Sequence, residues 1–334
     1  MNDVLGDFLA RLTGIAGRFL GPAERLSPLY LLVMVAIAFV LWRFGPRDRT
    51  QGFWSWLLPR SIYFHRSHWV DIKLFLFGRL VGALGLLSRL GLGTLVSGSV
   101  IAFLASSFGA TQQPTQPGFW QMAALTVVFA AVADFSTYWI HRLHHENPVL
   151  WPFHAVHHSA EVLTPITLYR KHPVYDFLGG ALRAVLVGIT TGIVIFAFFG
   201  KISVLAVGGA NLVYCMFNFV GSNLRHSHVW FSYGPVLERI FISPAQHQIH
   251  HSRLPRHHDR NYGEIFALWD WMFGTLYLPR ERETFDIGLG DAAGNPLPQP
   301  HGTLRAALLQ PFAASGQALR DGVRRRILRK PVSP

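Results

Sequence analysis

Cysteine and charge are what this 334-residue chain has least of. Its one cysteine, Cys215, excludes an intrachain disulfide, and its place in an apolar run makes a packed thiol the expectation. Charged residues make up 14% of the chain, against about 25% in an ordinary soluble domain. Half of the residues are hydrophobic and mean hydropathy is positive. This balance argues against a water-soluble globule and for a membrane protein. No cleavable signal is expected, because Asp3 and Asp7 lie near the start and the first long apolar run follows Arg25 with no cleavage site behind it. Periodicity gives no strands, so the expected fold is all-α.

Uncharged apolar runs fall at about Ser27–Trp42, Leu90–Ala110, Gly118–Ala133, Ala184–Gly200 and Ile202–Asn223. Several approach the roughly 20 residues that cross a bilayer. Four or five membrane helices under a helical cap are therefore expected. Acidic residues are scarce too, 18 against 30 Lys and Arg, for a formal net charge of +12. Of those 30 cations, 26 lie in residues 43–89, 134–183 and 224–334, which an even number of crossings puts on one side of the membrane. By the positive-inside rule that side is the cytoplasm. Topology and anionic lipid account for the charge, and nucleic-acid binding is not expected. Apolar residues from Val4 to Leu20 follow the helical period with Arg11, Arg18 and Arg25 on another face, so residues 1–26 read as an interfacial helix. Residues 27–287 read as the catalytic membrane domain. Residues 288–334 read as a Gly- and Pro-rich linker and a basic tail, with Arg324, Arg325, Arg326, Arg329 and Lys330 as a surface anchor or a disordered end.

Against this background one residue type is abundant. Seventeen histidines include three HxxHH clusters: His141, His144 and His145; His154, His157 and His158; His247, His250 and His251. Chance would place that pattern roughly 0.04 times in such a chain. Residues three and four apart share a helical face, and imidazole is the commonest protein metal ligand. Nine such nitrogens exceed what one four- to six-coordinate ion uses, so two ions held close together are expected. In the first cluster His141 and His145 are the favoured ligands and His144 stays open. Asp134, two helical turns before His141 in an apolar helix, is the candidate catalytic-site carboxylate, serving a ligand imidazole from behind. His257, His258, Asp259, Asn261 and Asp270 follow the third cluster, either as supporting residues or, for the histidines, as solvated side chains.

The segments DFSTYWIHRLHHENPVLWPFHAVHHSAE, RHSH and HQIHHSRLPRHHDRNYGEIFALWDWMFGT resemble the fatty acid hydroxylase and sterol desaturase superfamily of membrane di-iron enzymes over roughly residues 119–278. The resemblance implies two non-haem irons on the cytosolic face, O2 as co-substrate, and hydroxylation or desaturation of a membrane lipid. It carries the ligand role to His141, His145, His154, His157, His158, His247, His250 and His251. Where many relatives have a histidine shortly before the residue matching Asn223, this chain has Val220 or Gly221. His226 and His228 follow instead; His228 is taken as the ligand, with His226 and His172 of the RKHP element as alternatives. No HPGG element of a fused cytochrome-b5-like donor is present, so a separate electron donor is expected.

Two other classes are weighed against this reading. A zinc hydrolase would want a carboxylate base within the motif, as in HExxH, and no HxxHH cluster here contains one. A metal transporter would place its ligands inside the spans near the midplane, whereas these clusters sit at or beyond helix ends. Oxygen-dependent hydroxylation of a fatty acyl, ether or ornithine lipid or a sterol is the expectation, with desaturation on the same site as the alternative.

Overall fold

The computed structural model describes residues 24–45, 51–85, 90–109, 118–199 and 204–328, and within the first 23 only Gly6 and Gly14. The expected interfacial helix at 1–26 and the last basic residues, 329–334, thus lie almost wholly outside the described residues. Among the described residues nine longer helices follow one another: α1 Pro28–Phe44, α2 Arg66–Ala83, α3 Leu92–Phe108, α4 Phe119–Glu146, α5 Trp151–His158, α6 Pro173–Val194, α7 Val204–Phe219, α8 Pro244–His250 and α9 Leu304–Leu328. Short helical turns join them. Among the described residues only isolated β-bridges occur, such as Phe241 with Phe266.

Local chemistry sets the helix starts. Proline opens α1, α6 and α8 at the first positions, where its missing N–H costs nothing. Ser243 caps α8 by accepting from Gln246 N–H at 3.2 Å, while the Gln246 side chain accepts from Ser243 N–H at 2.9 Å. His172 caps α6 in the same manner, its Nδ1 accepting from Val174 N–H at 3.1 Å.

Among the described residues two helices are long and apolar enough to cross a membrane: Phe119–Glu146, 28 residues, and Pro173–Ala197, 25 residues including a π-helical turn. At 1.5 Å per residue they are about 42 and 37 Å long, beyond the roughly 30 Å hydrocarbon core. The apolar helices α1 and α3 have 17 residues each. Reading runs of uncharged residues breaks α4 at Asp134, but the helix continues through it to the first histidine cluster.

α6 packs closely on α3 through Gly188 and Gly192. A Cβ at Gly192 would stand 2.7 Å from Val100 Cβ and 2.8 Å from Ser97 O; one at Gly188 would stand 2.8 Å from Gly93 O. Small residues four apart let helix backbones approach where no water is expelled to drive association. On the other side of the molecule Val70 and Leu74 of α2, Val156 of α5 and Ala307 of α9 form a buried cluster. The segment before α9 also packs on this core: Gln299 donates to Ser159 O at 2.6 Å, and His301 O accepts from Arg170 at 3.3 Å. The stretch read as a linker is therefore in contact with α5, the helix that carries the second histidine cluster.

Gly192→Val should lower thermal stability, by about 1–3 kcal/mol as overpacking does. Gly98→Ala on α3, where an added Cβ meets nothing within 4 Å, should hold or raise it. Melting of both variants in one detergent checks the pair.

Candidate metal centre

Four elements bring histidines together: the C-terminal end of α4, helix α5, the 3-10 turn Ser222–His226, and α8 with its capping residue His251. They form two groups, His141, His145, His154, His158 and His250, and His157, His226, His247 and His251. Within each group one nitrogen per ring lies within 4.8 Å of all the others.

The helical period explains the division. His141 and His145, and His154 and His158, are pairs four apart that serve the first group; His247 and His251 are such a pair for the second. Neighbours in sequence are turned by about 100°, so His157 leaves its partner His158 for the second group, and His250 leaves His251 for the first. The groups touch where the His158 and His251 rings stack, 4.7 Å apart at 26°.

The Nε2 atoms stand at ligand spacing. His145 to His158 is 3.1 Å and His158 to His154 is 3.2 Å. In the second group His157 to His226 is 3.3 Å, His226 to His247 is 3.0 Å and His247 to His251 is 3.3 Å. Nitrogens about 2.0–2.1 Å from one ion would be about 2.9–3.4 Å from each other. An Nε2 carries either one hydrogen or one lone pair, so a nitrogen facing two others cannot be satisfied by both. In the first group His141 Nδ1 donates to Tyr262 O and His250 Nδ1 donates to Arg260 O, each at 2.7 Å. Their Nε2 atoms are therefore bare acceptors, buried and without a partner. Backbone carbonyls fix the tautomer, and the free lone pairs face the group; this donor set fits a pair of transition-metal ions.

Burial keeps these rings neutral, the form that binds metal. Loss of hydration pushes His154, His157, His158, His226, His247 and His251 below the ordinary imidazole value, and His250 to about 4.

The carbonyls that hold His141 and His250 come from one loop, whose shape has specific causes. Asp259 and Asn261 both adopt the left-handed conformation with φ 57°, which Asn and Asp tolerate best after glycine. Asn261 secures the turn by accepting from Tyr277 N–H at 2.8 Å and donating to Gln246 O at 3.2 Å. Asp270 then accepts from Tyr262 N–H and Gly263 N–H, both at 2.8 Å, and from the Thr275 hydroxyl at 2.6 Å. Burial pushes its carboxyl up to about 6. Only glycine fits at 263, since a Cβ would lie 2.6 Å from Phe266 O and 2.8 Å from the Asp270 carboxylate.

Asp134 does not touch an imidazole. Its oxygens accept from Ile265 N–H at 2.9 Å, Phe266 N–H at 3.0 Å and Trp269 Nε1 at 2.9 Å. It braces the loop whose Tyr262 carbonyl holds His141, so it acts at one remove from the position expected of it.

Helix α5 is fixed from behind by Arg170, which is wholly buried. Arg170 donates to Val156 O at 2.7 Å and Ser159 Oγ at 2.9 Å, and pairs with the equally buried Asp71 at 2.7 Å. Thr167 Oγ1 donates to the other Asp71 oxygen at 2.6 Å. Arg170 belongs to the RKHP element, but nothing in the sequence marks Asp71 or Thr167 as its partners.

Of the histidines in question, His226 joins the second group and His228 does not. His228 Nε2 donates to Trp56 O at 2.8 Å, and its ring edges the Trp56 indole. Gly221, at φ 90°, ends the preceding helix and starts the 3-10 turn that carries His226 inward. A glycine just after an apolar helix was the available signal. His144 Nδ1 donates to Ile140 O at 2.7 Å and its ring meets Tyr175, outside both groups. His172 spends both nitrogens on α6 and Leu308 O, His257 pairs with Glu283, and His258 Nε2 donates to Arg253 O.

The described residues thus combine membrane-length helices with a buried double set of imidazoles arranged as a candidate metal centre. Residues 126–275 match the fatty acid hydroxylase family. Ornithine lipid hydroxylase OlsE of Rhizobium tropici is 32% identical over 205 residues, covering 60% of this chain and 54% of that protein. Human alkylglycerol monooxygenase is 30% identical over 172 residues, 51% of this chain and 33% of its own length. Very-long-chain aldehyde decarbonylase CER1 of Arabidopsis thaliana is 27% identical over 159 residues, 46% of this chain and 23% of its own. The chain thus spans about half the length of the first and a third or less of the other two. No solved structure matches it. Through its histidine-bearing region the chain is similar to the fatty acid hydroxylase family.

His226→Ala should reduce bound metal to about half, since it removes one of four imidazoles from the second group, whereas His228→Ala should leave metal content unchanged; elemental analysis of purified protein reads the difference. Asp71→Ala strands the Arg170 charge in the interior and should cost about 3–5 kcal/mol of stability. Denaturant unfolding beside the unsubstituted protein checks that loss.

Proposed function

We propose that this protein is an oxygen-dependent di-iron monooxygenase that hydroxylates a membrane lipid. The observation that carries the reading is the pair of adjacent imidazole groups with buried, unpartnered nitrogens at ligand spacing. All-nitrogen donor sets suit iron, zinc, copper or nickel, and the names of the similar proteins, two of them a hydroxylase and a monooxygenase, favour iron. Two irons, when bound, would supply oxygen activation: one atom of O2 enters a C–H bond and the other leaves as water, on two electrons from a separate donor and two protons.

The chain's own part is to hold and to exclude. His141, His145, His154, His158 and His250 hold one ion, and His157, His226, His247 and His251 hold the other. Tyr262 O and Arg260 O keep protons on the Nδ1 atoms they face, so Nε2 remains the donor atom throughout turnover. Tyr262 and Trp151 pack on His145, with ring centroids 5.0 Å away in each case, and limit water there. α4 is both a candidate span and the carrier of His141 and His145, so a lipid could present a carbon to the centre without leaving the bilayer. The distribution of Lys and Arg supports a cytoplasmic position for this end of α4. A fatty acyl, ether or ornithine lipid or a sterol is the substrate class.

Turnover of candidate lipids by purified protein with reductant under 18O2 should place one labelled oxygen in the product. An unlabelled alkene would assign desaturation to the same centre. Ester cleavage that continues without oxygen would overturn the reading in favour of hydrolysis.

A further inference from the structure

Beside the histidine groups stand polar side chains that neither belong to them nor brace a loop. Tyr175, near the start of α6, is only 8% exposed and stacks on His154, with 4.7 Å between centroids and 20° between planes. Its hydroxyl makes no hydrogen bond among the described residues. Lys171 is half-buried, and its Nζ lies 5.8 Å from the Tyr175 ring centroid. Its ammonium forms no ion pair and no hydrogen bond among the described residues. A half-buried ammonium without a protein partner is open to an anionic ligand.

No carboxylate among the described residues forms an ion pair with Lys171. Its ammonium lies within electrostatic reach of His157 and His226 of the second group and of two carboxylates, Glu264 and Asp176. Glu264 is already paired with Arg25. Arg225 donates to the carbonyls of Ile242 and Glu264, which leaves its charge in place. Arg183 donates to the Thr137 hydroxyl. Around Tyr175 and Glu264 the four cations Arg25, Lys171, Arg183 and Arg225 thus face three carboxylates, Glu264, Asp176 and Asp134. Bound metal would add to the positive surplus. A hydroxyl donor and an unpaired ammonium, one of them resting on a histidine of the centre, match the oxygens of an anion.

We propose that Lys171 and Tyr175 bind the anionic group, a carboxylate or a phosphate, of the amphiphile presented to the histidine groups. The proposal rests on the reading that the centre acts on a lipid, and it narrows that lipid to one with an anionic polar end. Lys171 supplies charge, and Tyr175 supplies a hydrogen bond and sets the distance to His154.

Equilibrium binding tests this without turnover. The purified holoenzyme in neutral detergent is titrated with pyrene-labelled dodecanoate and with its methyl ester. The carboxylate should bind about tenfold more tightly, the worth of a charge-assisted contact. Lys171→Gln should bring the two probes to within about twofold and Lys171→Arg should keep most of the preference, because the charge is what counts. Tyr175→Phe, which preserves the stack on His154, should weaken the carboxylate about threefold and leave the ester unchanged. Should Lys171→Gln fail to fold, Tyr175→Phe still decides. Competition by monododecyl phosphate against dodecanoate shows which anion fits better. Equal binding of the two probes by the unsubstituted protein, or a preference untouched by both Lys171→Gln and Tyr175→Phe, overturns the proposal. Intact anion preference with no oxygen incorporation would overturn the catalytic reading and leave this one standing.

Discussion

Nine imidazoles buried with their free nitrogens converging is the condition that the rest of the structure serves. A bare nitrogen in a dry interior is costly unless a proton or a metal answers it. Rings this close cannot all answer one another, since each nitrogen has one hydrogen or one lone pair to offer and several face two neighbours. The two groups also differ. In the first, Nδ1 atoms are tied to Tyr262 O and Arg260 O, and His145 Nδ1 lies 3.5 Å from Asp259. In the second, the Nδ1 atoms of His157, His247 and His251 are buried without a protein partner, and Arg25, Arg225 and Lys171 lie within electrostatic reach of His226.

The deeply buried carboxylates around the centre serve position. Asp134 and Asp270 take up six donors of the segment 262–275, and through that segment they fix where two carbonyls point. Asp71 neutralises Arg170, and Arg170 ties the end of α5 to the segment that precedes α9. A buried ion pair gains little net stability against the cost of desolvating both charges, so what such a pair contributes here is the placing of His154, His157 and His158. Polar interiors of this kind are conformationally demanding, because a half-satisfied network is worse than none.

Much of this could be read from the residues, and the reasons for the remainder are physical. The HxxHH spacing identifies imidazoles sharing helical faces because the helical period is local. That same period turns His157 from His158, but it cannot say where a second group lies. His144 has the same spacing as His157 and His250, yet its flank is closed by Tyr175 of α6, a contact with no mark in the sequence. His226 sits on a 3-10 turn with no periodicity to read, and the choice between it and His228 depended on how the chain turns at Gly221. Asp134 stood out as a charge in an apolar helix. Its partners, the amides of Ile265 and Phe266, are 131 and 132 residues away.

The sequence by itself determined that an apolar, all-helical chain carries pairs of imidazoles four residues apart, because composition and helical period act over a few neighbouring residues. Only the tertiary structure decided which nitrogens meet. His141 meets Tyr262 across 121 residues and His157 meets His226 across 69. Convergence over such separations is set by buried Arg170, by the carboxylates that hold the 262–275 segment, and by the close approach of α6 to α3; some of these residues stand out in the sequence, but their distant partners do not.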